Sequence, residues 1–191
     1  MKRTSIKISF LLAVTVSLIA GTFTFSGLQS CKKNDTVTQT FYDSLGGTTM
    51  VQDPTAASGT MIEKGRLGIR GVVDSAIFII AADTQLQKYF AVLLTELGMH
   101  NTTGLTNLSK NLTDFFCVAT GAKDYTYTGL SMTNAHNPAT NPRMTGKVDA
   151  ADFNQFVNDL VASSNKNGLP AYYITRLGTI VNSVQSQVVQ M

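Results

Sequence analysis

The sequence predicts an all-α protein of one domain, and three observations carry that prediction. Four stretches place apolar residues at spacings of three and four. No stretch alternates with period two for long enough to argue a sheet, the β-prone run Val14 to Ile19 lying in a leader segment. Turn signals separate the stretches: Gly46-Gly47, Gly121, Asn137-Pro138, Asn141-Pro142, and Gly168 before Pro170.

The chain begins with a short basic segment, Met1 to Lys7, followed by an uncharged apolar run from Ile8 to Leu28, which is the layout of an export signal. The run is also long enough to span a bilayer. Leu28-Gln29-Ser30-Cys31 resembles the cleavage box of a bacterial lipoprotein, in which the cysteine is acylated and becomes the new N-terminus. Residues 1–30 are therefore expected to be a lipoprotein signal peptide, Cys31 the lipidation site, and 31–40 a polar tether. The expected location is exported and membrane-anchored, on the periplasmic or outer-membrane face.

Of 191 residues, 15 are Lys or Arg and 12 Asp or Glu, a formal charge of +3. Lys2, Arg3 and Lys7 account for the whole excess. The remaining body is neutral, so neither a nucleic-acid partner nor a charged membrane-binding patch is expected. The second cysteine, Cys117, lies in an apolar run and reads as a small buried hydrophobe.

Within 41–191, the first stripe is Ile69, Val72, Val73, Ile77, Ile80, and the second Leu105, Leu108, Leu112, Phe115, Phe116, Ala119. The third, Phe153, Phe156, Val157, Leu160, Val161, is opened by Asp149 and Asp152, where the helix dipole favours negative charge. Ile174, Leu177, Ile180, Val181, Val184, Val188 make the fourth. One apolar face on each implies packing around a shared core. Thr48 to Gly65 and Asn137 to Gly146 read as long loops.

Chemistry-bearing residues are few. The sequence has no Cys-Xaa-Xaa-Cys, His-Glu-Xaa-Xaa-His, Gly-Xaa-Ser-Xaa-Gly or phosphate-cradling glycine loop, and only two histidines. His100, in Gly98-Met99-His100-Asn101, reads as an exposed loop residue. His136 follows Met132 by four residues, so the two share one face of any helix formed there. Taken alone, His136 is a polar residue satisfied by its neighbours. A single histidine facing an apolar pocket is also what a five-coordinate haem iron requires.

Several segments, in order, resemble the landmarks of group 1 truncated haemoglobins: Phe41-Tyr42-Asp43-Ser44-Leu45-Gly46-Gly47; Val72-Val73-Asp74 through Ala82-Asp83, Leu86 and Tyr89-Phe90; Tyr127-Xaa-Gly129-Xaa-Xaa-Met132 to His136; and Asp152-Phe153. The resemblance implies a two-over-two helical sandwich holding haem b, with His136 as the iron ligand and Met132 lining the haem. It further implies that Phe90 stacks on the porphyrin, that Leu108, Leu112, Phe115 and Phe116 form the distal face, and that Phe153 closes the pocket. The Gly46-Gly47 pair matches the break between the family's first two helices.

The departures are as informative. Ala76-Ile77 stands where the family usually has Phe-Tyr, and Leu108 where it often has Gln, so both usual hydrogen-bond donors to bound oxygen are replaced by apolar side chains. Oxygen gains negative charge on binding and would lose about 1 to 3 kcal/mol per missing donor. Lys110 and Asn111 are the polar side chains nearest to replacing them. The segment Ala91 to Gly104 and the stretch after His136 are longer than the family norm. The reading that follows is a tethered, non-enzymatic haem protein that binds oxygen, carbon monoxide or nitric oxide reversibly. Its alternatives are a haem-free lipoprotein of the same fold with a structural or interaction role, and a nitric oxide dioxygenase or peroxidase.

Overall fold

The computed structural model describes residues 39–191. The export signal, Cys31 and most of the tether lie outside the described residues. Helix α1 (Phe41–Ser44) is one turn long and held by a reciprocal cap: the Thr40 hydroxyl accepts from the Asp43 N–H at 3.0 Å, and the Asp43 carboxylate accepts from the Thr40 N–H at 2.8 Å. Gly46 and Gly47 follow with φ of +115° and +52°, a conformation that side chains resist.

The segment expected to be a loop from Thr48 to Gly65 instead contains a hairpin, β1 (Met50–Gln52) paired antiparallel with β2 (Met61–Glu63), with Val51 opposite Ile62. Strands of three residues are too short for alternation to register. The hairpin is pinned by Asp53, whose carboxylate takes both guanidinium nitrogens of Arg70 at 2.7 and 2.8 Å. That guanidinium holds the Asp53 carboxyl well below the usual carboxylate range.

Helix α2 (Lys64–Ala82) runs directly from β2 and buries Ile69, Val72, Val73, Ala76, Ile77 and Ile80. Gly65 at its start lets the Tyr42 ring approach so closely that a Cβ would lie 2.9 Å from it. Asp83 stops the helix, its carboxylate accepting the N–H groups of Gln85 and Leu86 at 2.7 and 2.9 Å. After a 3₁₀ turn, Gln87–Phe90, the extra length foreseen after Ala91 is largely a further helix, α3 (Ala91–Gly98). Exposed His100, at φ +61°, turns the chain into α4 (Thr103–Thr120), which ends on Gly121 at φ +99°.

Helix α5 (Met132–His136) is short, and Ser131 caps it by accepting the Asn134 N–H. Asp149 does the same for α6 (Ala150–Lys166) through the Asp152 N–H at 2.8 Å. The fourth stripe is divided between α7 (Ala171–Asn182) and α8 (Gln185–Val188). The break lies at Ser183 and Val184, where the Ser183 hydroxyl turns back on the Ile180 carbonyl at 2.6 Å.

Helices α2 and α4 pack as one layer and α6 and α7 as the other, with α2 crossing onto α6. Their shared core holds Phe41, Tyr42, Val73, Ile77, Phe116, Cys117, Phe153, Leu160 and Val181. Polar groups tie the helices together both between the layers and within one of them. Buried Ser163 donates to the Val72 carbonyl at 2.5 Å. Arg66 of α2 and Lys110 of α4 both reach the Asp114 carboxylate at 2.7 Å. Arg66 also stacks on the Tyr125 ring and lies 3.8 Å from the Cys117 sulfur. Among the described residues no helix is long and apolar enough to cross a membrane.

Candidate functional site

A cavity of about 550 Å³ opens between α4 on one side and α5, α6 and the α2 end on the other. That volume falls within the range of small-molecule and cofactor sites. It collects every side chain that the sequence singled out around His136: Ile77, Phe90, Leu108, Leu112, Phe115, Phe116, Met132 and Phe153 all line it, as does His136 itself. Cys31 is the one remaining candidate, and it lies outside the described residues.

Helix α4 shows why the cavity exists. Its apolar residues Leu105, Leu108, Leu112 and Phe115 are only half-buried, whereas Thr113, Asp114 and Cys117 behind them are buried. Of the buried residues, Asp114 is paired with Arg66 of α2. The apolar face is left for the cavity, where Phe115 packs edge-on against both Phe116 and Tyr127. Ile77 and Phe153, from the two layers, are buried and line the cavity as well.

His136 ends α5. Its Nδ1 lies 2.8 Å from the Met132 carbonyl oxygen. A carbonyl only accepts, so Nδ1 carries the ring proton and Nε2 keeps its lone pair. Burial pushes the His136 pKa below the ordinary histidine value, against the opposing effect of the Met132 hydrogen bond. The ring is thus kept neutral, which is the state a metal ligand needs. Among the described residues no three His, Cys, Asp or Glu side chains gather in a way that would hold a bare metal ion. A lone neutral imidazole in an apolar cavity instead suits a metal that arrives with its other ligands, as a porphyrin iron does.

Polar groups are confined to the edges. The Tyr89 hydroxyl is bound to the Asp152 carboxylate, which also takes Gln85 at 2.9 Å and Lys88 at 3.4 Å. Burial alone would raise the Asp152 pKa, but these hydrogen bonds outweigh it and hold the carboxyl below its ordinary value. The Tyr127 hydroxyl donates to the Leu130 carbonyl at 2.5 Å. Lys110, one of the two polar side chains considered for the distal side, is committed to Asp114 and does not line the cavity; Asn111, the other, does. At the mouth Arg143 and Glu96 form a two-point ion pair at 2.6 and 2.8 Å.

Three solved structures resemble the described fold. All are variants of the truncated haemoglobin of Tetrahymena pyriformis in the Fe(III) form, one with a tyrosine changed to phenylalanine and two with a glutamine changed to glutamate. Each superposes with a TM-score of 0.56 at 18% sequence identity, over 80% of this chain and the whole of the other. The fold is that of a truncated haemoglobin. At such identity the likeness shows the fold alone. No family model matches the chain, and no curated protein matches it.

Set on the truncated-haemoglobin fold, some cavity residues were not singled out by the sequence reading. Leu93, Leu94 and Leu97 of α3 line the cavity with Phe90. Their spacing of three and four is a helical stripe that the sequence displays. Met144, Asn141 and Arg143 also line it, from the long segment after His136, where no periodicity marks them.

Proposed function

We propose that this protein binds haem b in the cavity, with His136 as the iron ligand, and through it binds a diatomic gas reversibly. The observation that carries the proposal is the neutral His136 ring, held by the Met132 carbonyl at 2.8 Å, on the wall of an apolar cavity of about 550 Å³. The truncated-haemoglobin fold supports the same reading. Haem bound there would supply an iron able to bind a gas.

The side chains then divide the work. His136 presents Nε2, and the Nδ1 hydrogen bond fixes the ring and raises its basicity. Leu108, Leu112, Phe115 and Phe116 exclude water from the face of the cavity formed by α4, while Phe90, Met132 and Phe153 supply flat or flexible apolar surface for a macrocycle.

Ile77 and Leu108 provide no hydrogen bond to a bound gas, and the hydroxyls of Tyr89 and Tyr127 are already engaged, which leaves Asn111 as the one side chain of the two considered that lines the cavity as a donor. With two apolar residues in place of two donors, carbon monoxide and nitric oxide are retained better than oxygen. Nitric oxide dioxygenase or peroxidase chemistry needs held oxygen or a polar acid-base group beside it, so gas binding is favoured over catalysis. The basic, apolar leader and the box ending at Cys31 support export and attachment to a membrane through an N-terminal lipid.

The test is spectroscopic. The purified full chain mixed with haemin should give a sharp Soret band, and His136→Ala should weaken or shift it. A protein that stays colourless, or a spectrum indifferent to the substitution, would overturn the proposal.

A further inference from the structure

Helix α5 has only five residues, too few to hold itself together, and its last carbonyls have no partner within the helix. The partners come from the segment that follows. Asn141 donates from its side-chain amide to the Ala135 carbonyl at 2.6 Å, and the Thr140 hydroxyl donates to the Asn134 carbonyl at 2.9 Å. The backbone of Asn141 is itself tied back to the Asn137 carbonyl at 2.8 Å. Residues 137–141 are thus folded onto the end of the helix that carries His136.

This clasp is anchored to α3. The Asn141 carbonyl oxygen of the side chain accepts the Arg143 N–H at 3.1 Å, and the Arg143 guanidinium meets both carboxylate oxygens of Glu96, on α3. The pair lies directly on the backbone of α4. A Cβ on Gly104 would come within 2.1 Å of the Glu96 carboxylate and 2.3 Å of the Arg143 guanidinium. Glu96, Gly104, Asn141 and Arg143 all line the cavity. Three segments, the end of α3, the first turn of α4 and the clasp, therefore converge on one bidentate contact.

We propose that Arg143 and Asn141 are positioning residues for His136: the pair with Glu96 ties the clasp to α3 and so sets where the imidazole stands in the cavity. The proposal rests on the haem reading above. Its consequence is that a change at Glu96, on a helix other than α5, alters the bond between His136 and iron.

The experiment uses the full chain reconstituted with haemin, with two readouts: the rate of haem loss to an excess of a haem-scavenging apoprotein, and the iron-histidine stretching band of the ferrous protein in resonance Raman. Arg143→Ala and Glu96→Gln should each shift or broaden that band and speed haem loss about two- to fivefold, the range for a partly exposed ion pair. Gly104→Val, which keeps both charges but wedges them apart, should act in the same direction. Asn141→Leu, which keeps the ion pair but removes the amide from the Ala135 carbonyl, should shift the band as well. The exchanged pair, Glu96→Arg with Arg143→Glu, should return both readouts toward wild type. Unchanged bands in folded Arg143→Ala and Glu96→Gln proteins would overturn the proposal, even if haem loss were faster, because the pair would then only close the mouth. A wild-type chain that takes up no haem would instead overturn the haem reading itself.

Discussion

Replacing Ile77 with tyrosine would bring a hydroxyl from α2 to the wall of the cavity in which the gas is proposed to bind. Ile77 is 6% exposed and lines the cavity from α2. Ile77 belongs to the buried core and the cavity it lines is the one assigned to haem, so the usual penalty for overpacking, about 1 to 3 kcal/mol, applies. A tyrosine hydroxyl donating to bound oxygen in a water-poor cavity should contribute about 1 to 3 kcal/mol. Oxygen dissociation should then slow by a factor of about 5 to 150. Stopped-flow displacement of oxygen from the ferrous protein measures this directly. Carbon monoxide, which gains less charge on binding, should be affected much less. An unchanged oxygen rate in a folded, haem-loaded Ile77→Tyr protein would mean that Ile77 does not face the gas and that the orientation of the cavity is wrongly assigned.

Three further outcomes test other parts of the structure. Gly65→Ala, which sets a Cβ 2.9 Å from the Tyr42 ring, should lower stability by about 1 to 3 kcal/mol in urea unfolding; wild-type stability would mean that α1 does not pack closely on α2. Asp114 is buried, and although burial raises its pKa, Lys110 and Arg66 outweigh that and hold the carboxyl below its ordinary value. Because the folded state binds this proton more weakly than the unfolded chain, its contribution is complete above the ordinary carboxylate pKa and is lost as pH falls through the lower folded value. Asp114→Asn should therefore flatten the acid limb of stability against pH and cost about 3 to 5 kcal/mol at pH 7, and an unaltered acid limb would refute the role given to Asp114. Cys117 is fully buried, and burial pushes its thiol up to about 11. In a Cys31→Ser background it should react with a thiol reagent only on unfolding, and rapid labelling of the native protein would contradict the packing of α4 on α2.

Much of the fold was legible in the sequence because its four principal helices each bury one face. The stripes at Ile69 to Ile80, Leu105 to Phe116, Phe153 to Val161 and Ile174 to Val188 correspond to α2, α4, α6 and the α7–α8 pair. What escaped was short or depended on distant partners. The hairpin has three residues per strand, and α5 has five, so neither leaves a period to detect. Buried Thr113, Asp114, Ser163 and Ser164 are polar, and only the folded chain shows that Arg66 and the Val72 carbonyl face two of them.

The candidate site divides in the same way. Its apolar wall follows from helical periodicity, and His136 stands out because histidine is scarce. The set that holds His136 in place does not. Asn141 reaches back six residues to Ala135, and Arg143 crosses 47 positions to Glu96. Such pairings are created by the fold, since a lone Arg in a loop and a lone Glu on a helix far from it in sequence carry no local signal of each other.

The central claim is that His136 ligates haem iron within this cavity, and the absorption spectrum of the purified full chain with haemin tests it most directly. The wild-type protein should show a sharp Soret band that responds to carbon monoxide in the ferrous state and that is weakened or displaced in His136→Ala. A colourless protein, or an identical spectrum in the variant, would contradict it.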